Sequence, residues 1–365
     1  MKFKSKIWLT AALACSLLLA GCGTDTASTP RDTGSSVTAN GSATENAVMA
    51  VDEPVSQEVF AMDTYMTVTA YGEHAQEAVD DAVAEIERLD ALLSIGEADS
   101  EISKLNATGA ATLSEDTSVM IDKALELYDS TGGAFDITVL PLMEAWGFTT
   151  EEYQVPSDDI LAEILTHVGA DQLDWDADSR TITLGNSQKI DLGGIAKGFT
   201  SGRIMEIFQK DGVTSGMVSL GGNVHLLGSK TDGSKWRVGI QDPDNTEDIL
   251  GILEVEDCAV ITSGGYERYF EQDGVTYHHI VDPKTGKPAD SGVTSATIVS
   301  KDGTLADGLS TSLFIMGVDE AAAYWKQHAE EFDAVLATED GTVHVTEGIA
   351  DSFTCDADVT VITKD

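Results

Sequence analysis

Val59-Phe60-Ala61-Met62-Asp63-Thr64-Tyr65-Met66-Thr67-Val68-Thr69-Ala70-Tyr71, followed by Gly72, is the stretch that decides the fold class. β-Branched and aromatic residues dominate it, which predicts β-structure ending at the glycine. After Gly72 the pattern changes to a helical period, with acidic residues on one face and apolar residues at Ala75, Val79, Ala82, Val83, Ile86, Leu89 and Leu93. A strand segment that leads straight into an amphipathic helix indicates a mixed fold.

The rest of the chain continues this mixture. Helical patterns cover residues 116–128, 160–168, 306–316 and 320–332, and residues 236–299 are mostly strand-forming segments separated by Gly and Asp. Residues 181–184 predict one arm of a hairpin, and a second hairpin is expected at the C-terminus. Because helices and strands do not alternate regularly, we expect an α+β fold with antiparallel sheets rather than a doubly wound parallel sheet.

The N-terminal segment is typical of an exported lipoprotein. Lys2, Lys4 and Lys6 precede an apolar run that ends in Leu19-Ala20-Gly21-Cys22, so small residues lie directly before a cysteine. We expect residues 1–21 to be a lipoprotein signal peptide and Cys22 to carry the lipid; a plain signal peptide with an accidental cysteine is the alternative. A lipid anchor of this kind predicts attachment to the extracytoplasmic side of the cell membrane without a spanning helix.

The segment after this cysteine is predicted to be a flexible tether. Residues 22–58 are rich in Ser, Thr, Ala, Gly and Asp and contain almost no large apolar residues. Such a segment cannot bury enough apolar surface to offset the entropy lost on ordering. We therefore expect the folded part to cover residues 59–365, which suffice for one large domain or two closely packed ones.

Charge and cysteine content narrow the classes of partner. The formal net charge is -42, from 63 acidic and 21 basic residues, which argues against nucleic-acid binding and against electrostatic docking onto anionic lipid. An anionic ligand needs only local donors or a metal and is not excluded. Beyond the leader and the anchor, Cys258 and Cys355 could form a disulfide or remain two separate thiols. No Cys/His cluster indicates zinc.

Two segments carry the residue types needed for phosphate chemistry. In Lys189-Ile190-Asp191-Leu192-Gly193-Gly194-Ile195-Ala196-Lys197-Gly198, a strand end, an acid and two glycines precede a lysine that opens a helix, which suits close approach to phosphate. The spacing matches neither a Walker loop nor a GxGxxG fingerprint. Asp307 and Thr311 are four residues apart and share a helix face, so they form a partial set of oxygen ligands for Mg²⁺. Each feature also has a structural interpretation: a turn for the glycines, a surface charge for Lys197, and a solvated helix start for Asp307 and Thr311.

Taken together and in this order, the motifs resemble the family of FAD:protein FMN transferases, long described as thiamine biosynthesis lipoproteins. The resemblance spans nearly everything after the tether and rests on these stretches: Ala61-Met62-Asp63-Thr64, Ser100-Glu101-Ile102-Ser103-Lys104-Leu105-Asn106, Ala134-Phe135-Asp136, Asp191-Leu192-Gly193-Gly194-Ile195-Ala196-Lys197-Gly198, Leu220-Gly221-Gly222-Asn223, Thr262-Ser263-Gly264, His279-Ile280-Val281-Asp282-Pro283 and Ala306-Asp307. It implies an enzyme that binds FAD and Mg²⁺, cleaves the pyrophosphate, attaches FMN to a threonine of an acceptor protein through a phosphoester bond, and releases AMP. It also implies two closely packed α+β parts with mostly antiparallel sheets and the flavin site between them.

The resemblance assigns roles residue by residue. Its flavin contacts fall on Met62, Ala134, Phe135, Asp136, Asp191, Lys197 and Val281. Its metal ligands fall on the backbone oxygen of Gly194 and the side chains of Asp307 and Thr311. Its catalytic histidine falls on His279, and a histidine suits this role because a threonine hydroxyl is a poor nucleophile without a nearby base. His278, the next residue on an extended segment, should face the opposite way.

Three departures from the family pattern affect the interpretation. Asp63 stands where glycine is usual, Gly202 stands where aspartate is common, and Gly96 provides no side chain in a region where the family often has an aromatic residue or Asn near the flavin. The resemblance links that last region to the choice between water and a protein hydroxyl as acceptor. Two alternatives therefore remain: an FAD pyrophosphatase that gives FMN and AMP, and a non-catalytic flavin-binding lipoprotein. The expected acceptor is an exported subunit of a membrane electron-transfer system.

Overall fold

The computed structural model describes residues 53–365, and the first strand begins at Val55. The predicted signal peptide, the lipidation site at Cys22 and most of the predicted tether lie outside the described residues. The fold starts before the expected boundary at residue 58, because residues 55–58 pair in register with residues 67–70. These four residues are mostly polar and therefore predict a tether, but backbone pairing with the next strand orders them.

The described residues form seven α-helices and seventeen strands, connected by turns and short 3₁₀ segments. The helices are α1 (Ala75–Leu93), α2 (Glu101–Thr108), α3 (Glu115–Ser130), α4 (Leu140–Trp146), α5 (Asp158–Leu165), α6 (Gly193–Lys210) and α7 (Gly303–His328). The strands are β1 (Val55–Ala61), β2 (Thr64–Ala70), β3 (Ala110–Thr112), β4 (Asp174–Asp176), β5 (Thr181–Thr183), β6 (Gly216–Leu220), β7 (Asn223–Leu227), β8 (Trp236–Gln241), β9 (Ile249–Val255), β10 (Ala259–Gly264), β11 (Tyr269–Gln272), β12 (Val275–His278), β13 (Val293–Ser300), β14 (Phe332–Thr338), β15 (Val343–Thr346), β16 (Phe353–Cys355) and β17 (Val359–Ile362).

One nine-stranded sheet organises the fold, in the order β1-β2-β6-β7-β10-β13-β14-β15-β17. Its neighbouring strands are antiparallel except for β15 and β17, which pair in parallel. Three smaller sheets of two or three strands are antiparallel throughout. The expected α+β class with mostly antiparallel sheets is confirmed. The expected C-terminal hairpin is wrong in part, because β15 forms a hairpin with β14 and the final strand returns in parallel.

Helices α6 and α7 pack together through a close approach of their backbones. A Cβ at Gly198 would lie 2.1 Å from the Gly303 carbonyl oxygen, and a Cβ at Gly303 would lie 2.7 Å from the Gly198 carbonyl oxygen. Only residues without a side chain allow this separation. Apolar residues then fix the helices to the central strands, with Ile195 of α6 and Leu309 and Leu313 of α7 fully buried in one cluster with residues of β10 and β13. This crossing brings the start of α6 next to the first turns of α7.

Helix α7 contains the expected pair of helical segments. It begins at Gly303 because the Asp302 carboxylate accepts a hydrogen bond from the Leu305 amide and caps its first turn. At Gly317 the backbone leaves the helical conformation, with a φ of 77° in the left-handed region, so the predicted break after residue 316 is confirmed and a second helical segment follows it to His328. The predicted end at residue 332 is wrong, since Phe332 is already the first residue of β14. Within residues 53–365, no helix combines the length and apolar character needed to cross a membrane.

Candidate active site

The start of α6 brings three of the predicted site residues together. The Asp191 carboxylate accepts a hydrogen bond of 2.9 Å from the Gly193 amide, which fixes the turn before the helix. The Phe135 ring lies against Gly194, where a Cβ would come within 3.0 Å of it. Burial raises the pKa of Asp191, and the Gly193 hydrogen bond and the charges of Arg268 and Lys197 oppose that rise. The predicted flavin contacts Phe135 and Asp191 thus adjoin the first turn of a helix, where backbone N–H groups favour an anion.

Asp307 is a buried carboxylate held in place by neutral donors. Its Oδ2 accepts a hydrogen bond of 2.8 Å from the Gly198 amide, and its Oδ1 accepts one of 2.9 Å from the Asn223 side chain. Burial raises its pKa, while the positive charge of Lys197 lowers it. A buried carboxylate held only by neutral hydrogen-bond donors retains lone pairs and negative charge for a cation.

Thr311 lies one turn after Asp307 and contacts a hydroxyl from strand β10. The Ser263 oxygen is 3.3 Å from the Thr311 oxygen and 2.7 Å from the Ser310 oxygen. Ser310 in turn donates a hydrogen bond of 2.7 Å to the Asp307 backbone oxygen. The predicted ligand pair on α7 is therefore connected to β10 by a chain of hydroxyl groups.

The donor set suits a hard cation that shares its coordination shell with a substrate. Within residues 53–365 no cluster of three or more His, Cys, Asp or Glu side chains could hold a metal ion. One carboxylate, one hydroxyl and the Gly194 carbonyl oxygen are too few for an all-protein cage. They fit Mg²⁺, which is usually bound by one or two carboxylates together with substrate phosphates and water.

His279 follows β12 and has a defined tautomer. Its Nδ1 lies 3.2 Å from the Arg268 carbonyl oxygen. A carbonyl oxygen can only accept, so Nδ1 carries the proton and Nε2 keeps a free lone pair. Burial lowers the pKa of His279 to about 3, and the charge of Arg268 adds to the effect. The imidazole is therefore neutral near pH 7 and can accept a proton at Nε2.

His278 faces different surroundings from His279, as the strand geometry predicts. Its Nε2 donates to the Ala289 carbonyl oxygen at 3.1 Å, and its ring packs edge-on against Phe314 of α7. The His279 ring instead packs edge-on against Phe148, whose carbonyl oxygen accepts a hydrogen bond from Arg268. His278 is thus a packing residue between β12 and α7.

The remaining predicted flavin contacts lie at different depths. Met62 occupies the β1–β2 turn with a φ of 49°, its amide donates to the Asp90 carboxylate at 3.0 Å, and its sulfur lies 3.9 Å from the Thr200 hydroxyl of α6. Ala134 and Val281 are buried. The turn geometry therefore fixes Met62 beside α6.

The Asp136 carboxylate forms hydrogen bonds within its own turn. It is buried, and one carboxylate oxygen accepts hydrogen bonds from both the amide and the hydroxyl of Thr138. The Thr138 hydroxyl in turn accepts from the Gly169 amide. Burial raises the pKa of Asp136 against these hydrogen bonds. The side chain caps the turn after Phe135 and so helps to hold the loop that carries the predicted contacts Ala134, Phe135 and Asp136.

Sequence reasoning missed four residues that the fold brings to this site: Asn223, Ser263, Glu267 and Arg268. All four lie in motifs that carried the resemblance or directly follow one, but nothing local in those motifs shows which side chain they contact. Part of the Glu267 residue is exposed to solvent, but the protein atoms around its carboxyl group desolvate it and raise its pKa to about 7. The charge of Lys197 opposes this rise, and the charge of Asp307 adds to it. A carboxyl group with this pKa changes its charge near neutral pH.

Comparison with known proteins now identifies the family. The sequence profile of the ApbE family matches residues 62–336. The chain belongs to the ApbE family. The resemblance inferred from the motifs is confirmed, and the match begins at Met62, the first predicted site residue.

Several ApbE relatives share most of this chain. The FAD:protein FMN transferase of Treponema pallidum is 34% identical over 292 residues, which cover 75% of this chain and 80% of the relative. That of Vibrio cholerae is 34% identical over 262 residues, covering 70% and 78%. Among solved structures, the ApbE protein of Thermotoga maritima superposes with a TM-score of 0.78 at 33% identity and covers 82% of this chain and 99% of its own. The apo form of the Pseudomonas stutzeri flavinyl transferase ApbE gives 0.74 at 26% identity, covering 83% and 98%.

Proposed function

We propose that this protein is an FAD:protein FMN transferase that uses Mg²⁺ to transfer FMN from FAD to a threonine hydroxyl of an acceptor protein, releasing AMP. The names of its ApbE relatives support the activity. The structural observation that carries the proposal is Asp307, a buried carboxylate with neutral hydrogen-bond donors, near the Lys197 charge at the start of α6. An anionic pyrophosphate and a divalent cation together suit this combination.

Different residues of the chain bind the pyrophosphate, hold the metal and exclude water. The first turn of α6 and Lys197 bind and orient the pyrophosphate, since both favour an anion. Asp307, Thr311 and the Gly194 carbonyl oxygen would hold Mg²⁺, which when bound supplies positive charge to the phosphate oxygens. Phe135 and Val281 are buried apolar residues and would help to exclude water from the bound flavin.

His279 is proposed to take the proton of the attacking hydroxyl. The threonine oxygen forms a bond to the phosphorus of the FMN portion, and the bond from that phosphorus to the bridging oxygen breaks, so AMP leaves with the bonding electrons. The hydroxyl proton moves to His279 Nε2, which is free because Nδ1 donates to Arg268. Arg268 thus acts through its backbone to fix the tautomer.

The transfer assay tests the proposal directly. An exported acceptor protein with a flavinylated threonine is incubated with the enzyme, FAD and Mg²⁺, and its intact mass is measured. A gain equal to FMN less one water is expected with the wild type and none with Asp307→Ala, while Asp257→Ala, a matched loss of a surface acid, should behave as wild type. No mass gain with any acceptor, together with no AMP release, would refute the transferase.

Hydrolysis of FAD is a second candidate function because of Gly96. A Cβ at this position would meet only the Ser94 hydroxyl, at 3.7 Å, so the space is open for a side chain that this protein lacks. Water could enter there in place of the acceptor. AMP and free FMN formed at the same rate with and without acceptor protein would favour the pyrophosphatase; binding without any product would favour a flavin-binding lipoprotein.

We also propose that the protein is held on the outer side of the cell membrane through lipid on Cys22. The motif before this cysteine supports the anchor, and an exported acceptor would meet the enzyme there. Cys22→Ser should move the protein from the membrane fraction to the soluble fraction and abolish labelling with a fatty-acid probe. Unchanged fractionation and labelling would contradict the anchor.

A further inference from the structure

We propose that Ser263 is a positioning residue that turns the Thr311 hydroxyl so that its oxygen lone pairs face the cation. The inference rests on the proposed Mg²⁺ site and adds a residue to its support. It follows from counting protons along the hydroxyl chain between β10 and α7.

The count starts at Ser310. Its oxygen lies 2.7 Å from the Asp307 backbone oxygen, which can only accept, so the single Ser310 proton is used there. Ser310 must then act as the acceptor in its 2.7 Å contact with Ser263, which uses the single Ser263 proton. In the 3.3 Å contact between Ser263 and Thr311, the Ser263 oxygen is consequently the acceptor and Thr311 is the donor.

The consequence concerns Thr311. Its proton points toward β10, so the lone pairs of its oxygen point away from that proton. A hydroxyl binds a cation through its oxygen, and a proton directed at the cation would repel it. By accepting this proton, Ser263 disfavours the orientation in which the Thr311 hydroxyl proton would point at the cation. Hydrogen-bonded neighbours orient metal ligands in the same way at other metal sites.

Burial makes this direction hard to reverse. Ser310 is fully buried, so water cannot replace its bond to the Asp307 backbone. Reversing the chain would place two oxygens 2.7 Å apart with no proton between them. The Asp307 carboxylate is thus held by Asn223 and the Gly198 amide, while the Thr311 hydroxyl is oriented by Ser263.

The test measures metal affinity of the full folded chain, with Mn²⁺ alone as the probe, from the electron paramagnetic resonance signal of the free ion. Ser263→Ala should weaken Mn²⁺ binding by about tenfold or more, the usual effect of losing a partner of a metal ligand. Ser263→Thr, which keeps the hydroxyl, should restore most of the affinity. Ser312→Ala removes another buried hydroxyl of α7, bonded only within the helix to Gly308, and should leave the affinity unchanged.

A double-mutant cycle separates positioning from direct binding. In a Thr311→Val background, Ser263→Ala should cause no further loss, because Ser263 acts through Thr311. An equal further loss in that background, or wild-type affinity for Ser263→Ala alone, overturns the inference while the metal site stands. If Asp307→Ala also leaves Mn²⁺ affinity unchanged, the proposed metal site itself is wrong and the inference falls with it.

Discussion

Gly198→Ala should damage both the fold and the site, and its effect can be worked out from the helix crossing. The new Cβ would lie 2.1 Å from the Gly303 carbonyl oxygen and 2.6 Å from the Asp307 Cβ. An ordinary contact begins at 3.4 Å, so the first separation must grow by about 1.3 Å, the difference between the two distances. A movement of that size breaks the 2.8 Å hydrogen bond from the Gly198 amide to Asp307.

The expected cost has three parts. Overpacking in a close contact costs about 1–3 kcal/mol. The lost hydrogen bond to a carboxylate costs about 1.5–3 kcal/mol. Replacing a helical glycine by alanine returns about 1 kcal/mol. The free energy of unfolding should therefore fall by about 1.5–5 kcal/mol.

Gly202→Ala is the matched control, since Gly202 lies one turn later in α6 and a Cβ there meets no atom within 4 Å. It should raise the free energy of unfolding by up to about 1 kcal/mol and leave transfer unchanged. Urea unfolding followed by circular dichroism gives both values, and Mn²⁺ affinity reports on Asp307. If Gly198→Ala is as stable as Gly202→Ala and binds Mn²⁺ like the wild type, the proposed coupling between the helix crossing and the site is wrong.

Three further predictions concern the site. Lys197→Ala should weaken FAD binding about tenfold or more, since bonds to charged groups are worth about 1.5–3 kcal/mol; equal affinities by calorimetry would make Lys197 a surface charge. His279→Ala should lower transfer by about 10²- to 10⁴-fold. The loss should be the same at every pH from 5 to 8, because a pKa of about 3 keeps His279 neutral over that range. His278→Ala should have a far milder effect on transfer, and the reverse order would exchange the roles of the two histidines. The kcat/KM of the wild type should change near pH 7 as Glu267, with its pKa of about 7, loses its proton on going to higher pH; a profile that is unaltered in Glu267→Gln would assign that change to another group.

Helices were predicted well where their periodicity and cap residues lie within the segment itself. The pattern over residues 116–128 is observed as Glu115–Ser130, with Ser114 accepting from the Thr117 amide as its cap. The pattern over residues 160–168 is observed as Asp158–Leu165, with Ser157 as its cap. The errors concern contacts between distant segments: the parallel pairing of β17, the ordering of residues 55–58 by β2, and the assignment of residues up to 332 to the last helix, although Phe332 already pairs in β14. Such pairings depend on which surface a segment meets, and no local period records that.

The site residues were likewise predicted where they share one helix, but not where they come from distant segments. Spacing alone placed Asp307 and Thr311 on one helix face, which the structure has. Spacing could not show that Asn223, 84 residues earlier, donates to Asp307, or that Ser263 contacts Thr311 across 48 positions. The role of Asp136 also depends on tertiary structure, since its bonds to Thr138 form only once the loop is buried.

The position of Met62 in the first hairpin has a consequence for the order in which the enzyme matures. The hairpin that holds Met62 comes first in the chain, whereas Thr311 lies on the last helix and is tied to β10. β2 pairs with β6, and β13 pairs with β14 beyond α7, so the sheet beneath the site is completed only by residues from both ends. Contacts so far apart along the chain form late in folding. A nascent chain therefore has no competent site, and FAD can be consumed only after nearly the whole polypeptide has been synthesised and has folded.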